Sequence, residues 1–208
     1  LRPMAIILGF MNGLGMVTFA TLVLFSQEVL DASAFQFGVL TMGMAVGGVA
    51  GTFLASTIST RIGSGTSLFL TLASGVLIPA IIAISSHWII VTIAFIPFGF
   101  TGTLWNVITV SLRQTIIPDR LLGRVNSVYR FFAWGMMPIG SVIGGLLVVG
   151  TEAVGSRELA LRMPWFVAAG SYLLLLIYGA PKLTTAKIEA ARAEGVAAKQ
   201  AAKADESD

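Results

Sequence analysis

The 208-residue chain has no cysteine and a single histidine, His87. Disulfides, thiolate metal sites and cysteine nucleophiles are excluded, and so is a multi-histidine metal centre. Charge is scarce: 11% of residues are Asp, Glu, Lys or Arg, against about 25% in an ordinary soluble domain. No charge falls between Arg2 and Glu28, Asp31 and Arg61, Arg61 and Arg113, Arg130 and Glu152, or Arg162 and Lys182. What is abundant is apolar, 56% of the chain, and one soluble core of this size cannot hide that much. The composition rules out a cytosolic enzyme, a nucleic-acid-binding domain and a disordered chain. The solvent it calls for is the lipid bilayer.

About 20 apolar residues cross the hydrocarbon layer, so each charge-free gap holds a span. The gap between Arg61 and Arg113, 51 residues long, holds two. Six spans are expected: residues 3–26, 33–60, 66–84, 88–117, 125–149 and 164–180. The fold class is an all-α membrane protein, with residues 1–181 as its transmembrane domain. Residues 182–208, rich in Ala, Lys and Glu, read as a frayed surface helix or a disordered tail. The chain starts without Met, which fits a piece of a longer protein.

With six spans both ends lie on one side. That side carries 11 of the 13 Lys and Arg residues, and the positive-inside rule makes it cytoplasmic. The basic excess is thus a topology signal and not a nucleic-acid footprint. Glycine is plentiful, with 23 copies. Gly43, Gly47 and Gly51 on the second span, and Gly140 and Gly144 on the fifth, have the spacing at which helix backbones approach closely.

No span carries a charge near its middle, so no proton-coupling carboxylate is expected in this segment. The fourth span has a polar and small stripe: Gly99, Gly102, Asn106, Thr109 and Arg113 share one helical face. Such a stripe lines a water-filled cavity or packs on a neighbour, and Asn106 and Arg113 need partners that lipid does not supply. The first span has a weaker version through Gly9, Asn12 and Met16. For Asn12 an interhelical hydrogen bond and a ligand contact are both open. Trp105 flanks the stripe, as packing or as cavity wall. No metal site and no cofactor are expected.

The most distinctive stretch runs from Ser111 to Arg130. Pro118 ends a span, Asp119 is placed to cap a short turn, and Gly123 allows a tight re-entry. Arg113, Arg120, Arg124 and Arg130 gather around Asp119, as membrane anchors or as a gate.

This stretch resembles the major facilitator superfamily, and most of all the branch of bacterial exporters that includes enterobactin-exporter and macrolide-efflux-like proteins. The carriers of the resemblance are Leu112-Arg113-Gln114, Pro118-Asp119, Gly123-Arg124-Val125, Ser127 and Tyr129-Arg130, followed by Gly135, Pro138, Gly140, Gly144 and Gly145. The resemblance implies that residues 1–181 are helices 7 to 12 of a twelve-helix transporter in the bacterial inner membrane, whose other six-helix half is missing here. It implies a secondary transporter exporting small organic molecules, drug- or siderophore-like, by antiport with protons. Helices 7 and 10 would line the substrate cavity, with Asn12, Met16, Gly102, Trp105, Asn106 and Thr109 as its candidate residues. Arg61 and Gly63 match the superfamily's loop motif between helices 8 and 9, while Thr60 and Ser64 depart from its Asp and basic positions. Arg61 joins Arg113, Asp119, Arg120, Arg124 and Arg130 as candidate cytoplasmic gate residues. Arg124 would face acids of the other half and stabilise the outward-open state. The alternative is a non-transporting six-helix module for assembly or regulation. An intramembrane protease is disfavoured, because the lone His87 sits in an outer loop and no Asp lies within the membrane.

Overall fold

The computed structural model describes residues 2–117 and 119–205, with side chains for 3–117 and 120–200. Eight helices follow in order: α1 (Arg2–Phe19), α2 (Leu22–Glu28), α3 (Ala34–Ile62), α4 (Ser64–Ile84), α5 (Trp88–Ile116), α6 (Asp119–Glu152), α7 (Arg157–Gly179) and α8 (Thr185–Asp205). No strand is formed among the described residues. Six spans, with α1 and α2 counted as one, are long and apolar enough to cross a membrane. Their outward faces are apolar, with Phe35, Phe53, Phe131, Leu146 and Leu174 widely exposed. Such faces are stable only in lipid.

The principal pairings are α3 along α5, α1 along α6 and α4 along α7. Exchanging the first three spans for the last three maps this set onto itself, the relation expected of two three-helix repeats. The glycine series make both crossings possible. A Cβ on Gly47 would collide with the Ile96 carbonyl, and one on Gly140 with the Gly13 carbonyl. At the α3–α4 turn, Gly63 holds φ +86°, a conformation that disfavours other residues.

Several expected boundaries are corrected. The first span is interrupted at Ala20–Thr21. The Thr21 amide bonds the Thr18 carbonyl at 3.3 Å, and the Thr18 and Thr21 hydroxyls donate to the Gly15 and Thr18 carbonyls. These short-range bonds compete with the regular ladder. The fifth span starts at Asp119 and not near Val125, because Leu121 and Leu122 favour helix and Gly123, with open space around it, is tolerated inside it. At Gly123 the helix continues without a turn or re-entry. Pro118 and the side chain of Asp119 lie outside the described residues. The sixth span starts at Arg157, where the Ser156 hydroxyl accepts from the Leu159 amide at 3.2 Å. Its first two turns carry three charges, Arg157, Glu158 and Arg162, of which the last two form an i,i+4 pair, and they hid that start from a hydropathy reading.

Beyond α7, the chain folds back as α8 against the ends of α4 and α5. Leu183 and Ile188 are buried. Gly195 abuts Ile116, and the Lys199 ammonium donates to the Gln114 carbonyl at 2.8 Å.

Two buried clusters make up the core. One holds Leu22, Phe25, Leu40, Phe95 and Trp165. The other, toward the arginine-rich end, holds Ile7, Leu72, Trp105, Leu112, Tyr129 and Tyr172. At the opposite end Arg157 forks onto Glu28 at 2.8 and 2.9 Å and reaches Glu152 at 2.7 Å. Arg162 donates to the Ala83 and Ser85 carbonyls. Both basic residues of that end are therefore engaged within the protein.

Candidate functional site

Between the two clusters a cleft opens along α1 and α5. Its first part, about 320 Å³, is lined by Asn12, Met16 and Phe19 of α1, by Thr71, Ser74 and Gly75 of α4, and by Phe98, Thr101 and Gly102 of α5. Met137 of α6 and Tyr172 of α7 complete it. Its second part, about 330 Å³, shares Asn12 and Met137 and adds Leu8, Asn106, Arg113, Tyr129, Arg130, Ala133 and Trp134. The shared residues make the two parts one path, apolar at one end and basic and aromatic at the other.

The α1 amide side chain is committed: Asn12 Nδ2 donates to the Ala133 carbonyl of α6 at 3.0 Å. Asn12 nevertheless remains on the wall of both parts, so the interhelical bond and the cleft position coexist. Asn106 is exposed, and its Nδ2 donates one turn back to the Gly102 carbonyl at 3.1 Å. Met16 and Gly102 lie on the wall as expected. Trp105 and Thr109 do not. Both are about 1% exposed, and the Thr109 hydroxyl donates to the Trp105 carbonyl at 2.8 Å. The stripe turns away from the cleft at Thr109, and Trp105 beside it does likewise, because the buried cluster of Leu104, Trp105, Ile108 and Leu112 takes that side of α5.

A hydroxyl ladder was not foreseen. The Ser74 hydroxyl donates to Thr101 Oγ1 at 3.0 Å, and the Thr71 hydroxyl reaches the Thr101 carbonyl at 3.3 Å. It ties α4 to α5 at the cleft wall. Thr101 lies one residue off the stripe. The sequence cue was the run Ser67, Thr71 and Ser74, at helical spacing on one face of a strongly apolar span.

Of the candidate gate residues, Arg113 and Arg130 come together in the second part of the cleft, and the side chain of Asp119 lies outside the described residues. Arg113 stacks on the Tyr129 ring at 4.1 Å and Arg130 on the Trp134 ring at 4.8 Å. Arg120 and Arg124 are exposed on α6, and Arg61 is exposed at the end of α3. Among the described residues none of these five has a carboxylate at ion-pair distance. One continuous helix from Asp119 puts Arg124 in its second turn, past the reach of the helix N-terminal dipole. Arg113 is the best-placed cation: it is partly buried in the cleft, and its Nε has no hydrogen-bond partner among the described residues.

No family profile matches the chain. Curated relatives do. The chain is 25% identical over 170 residues to the "Enterobactin exporter EntS" of Salmonella paratyphi A, covering 78% of this chain and 40% of that protein. The protein of the same name from Salmonella typhimurium gives the same figures. That of Citrobacter koseri is 23% identical over 148 residues, 70% of this chain and 34% of its own length. The chain thus matches well under half the length of these relatives. Its described part is a multi-pass helical membrane protein, and it is similar to bacterial exporters of the major facilitator superfamily.

Proposed function

We propose that residues 1–181 are the C-terminal half of a twelve-helix exporter and that the cleft is this half's share of the substrate site. The observation that carries the reading is the cleft itself. It lies on the first and fourth spans, the positions related by the internal repeat, and a membrane protein has no use for exposed Asn106 and Arg130 and a half-buried Arg113 against lipid. The missing half would close the cleft, and the two halves would rock about the bound molecule. An apolar wall ending in stacked Arg113 and Arg130 suits an amphipathic aromatic molecule with an acidic group, and a catecholate siderophore is of that class. Proton coupling would use an acid of the other half, since this cleft presents amides, hydroxyls and arginines.

Everted vesicles holding the full-length protein test this. Enterobactin, for which the relatives are named, serves as first probe, with a second arm of lipophilic aromatic acids. Uptake driven by an imposed pH gradient is expected. Arg124→Ala should slow turnover with little change in half-saturating concentration, because an exposed arginine on α6 would hold the other half and not the cargo. No gradient-driven uptake of any probe would leave the assembly-module reading in place.

The arginine-rich end is proposed to be cytoplasmic. Single cysteines at Ser64 and Ser156 in this cysteine-free chain give the check. In intact cells an impermeant thiol reagent should label the second and spare the first; the reverse pattern would invert the topology.

A further inference from the structure

A second cavity lies outside the cleft, on the flank where α6 and α7 meet over α1. It encloses about 540 Å³ and is lined by Phe10, Gly13, Leu14 and Val17 of α1, by Met136, Ile139, Gly140 and Ile143 of α6, and by residues Val167 to Tyr178 of α7. On α6 the walls are distinct. Arg130, Trp134 and Met137 face the cleft, whereas Met136, Gly140 and Ile143 face this groove. Apart from Ser171 and Tyr178 its lining side chains are apolar, and Ile139, Leu174 and Phe10 are largely uncovered.

Three features select an occupant. The groove is apolar and open sideways, so its solvent is the acyl region of the bilayer. Along α7 it runs from Val167 to Tyr178, about 16 Å at 1.5 Å per residue, which matches one leaflet of a hydrocarbon core about 30 Å thick. At its arginine-rich end Lys182 places its ammonium 3.1 Å from the centre of the Tyr178 ring, so a cation stands where the leaflet meets its headgroups. We propose that this groove binds one phospholipid with an anionic headgroup, its acyl chain along Phe10, Leu14 and Ile143 and its phosphate at Lys182. The glycine crossing of Gly13 and Gly140 forms the groove's floor, so the bound chain would fill the space that this close crossing leaves beside α7.

Native mass spectrometry of the full-length protein, offered phosphatidylglycerol or phosphatidylcholine with identical chains, tests this. One phosphatidylglycerol should be retained about fivefold over phosphatidylcholine, the scale of one basic residue at a membrane surface. Lys182→Gln should abolish that preference while lipid binding persists. Ser171→Phe, which fills the groove, should lower retention of both lipids. An unchanged preference in Lys182→Gln overturns the proposal, whatever the fate of Ser171→Phe. So does a Ser171→Phe protein that folds and retains lipid undiminished; if its transport is lost as well, the groove admits cargo and not lipid.

Discussion

Gly47→Leu should prevent the full-length protein from folding, while Gly38→Ala on the same helix should leave it intact. A Cβ at Gly47 meets the Ile96 carbonyl and the Phe100 amide nitrogen, whereas one at Gly38 meets nothing within 4 Å. Overpacking a core costs about 1–3 kcal/mol when side chains can yield. Here the obstacle is backbone, and α3 would have to leave α5 along their whole contact. Fluorescence-detected size exclusion after a temperature ramp reads the difference directly. A Gly47→Leu protein that elutes as a single folded peak at the normal melting temperature would contradict this packing.

That pairing was legible in the sequence, because glycines four apart have few uses in a membrane helix. The number of spans was legible for the same kind of reason: charge is excluded from hydrocarbon, so its gaps print the spans. What escaped was decided by tertiary contacts. Thr109 lies on the stripe one turn from Asn106 and also beside Trp105 on the helix surface, and α5 buries that side together with Leu104 and Ile108. The Thr71, Ser74 and Thr101 ladder joins helices about 30 residues apart, a juxtaposition no local pattern carries. The break at Thr21 comes from hydroxyls bonding nearby carbonyls, without the proline or glycine that usually signals one. Arg113, Arg120, Arg124 and Arg130 are close in sequence, but two helices distribute them over different faces.

Arg113→Ala should weaken substrate binding by about 10–100-fold, the equivalent of a lost hydrogen bond to a charged group at ~1.5–3 kcal/mol. Arg113 lines the cleft and stacks on Tyr129, which fixes a cation on the cleft wall. Arg113→Lys should recover part of the loss, since charge is kept and the planar stack is not. Binding measured on purified full-length protein, normalised to folded material, separates this role from a structural one. If Arg113→Ala lowers the folded yield and leaves the affinity of what folds unchanged, Arg113 serves only to link α5 to α6.

On the proposed reading the cleft lies on an alternating path between two halves. Labelling of a cysteine at Asn106, in a full-length protein otherwise free of cysteine, tests it most directly. Asn106 is exposed on the cleft wall and Thr109 is buried one turn away. A water-soluble maleimide should label Asn106→Cys and not Thr109→Cys, and imposing a pH gradient should change the rate at position 106. Equal inertness at both positions, with and without the gradient, would mean that the other half packs permanently against this wall, and the cleft would then be an interface and not a route.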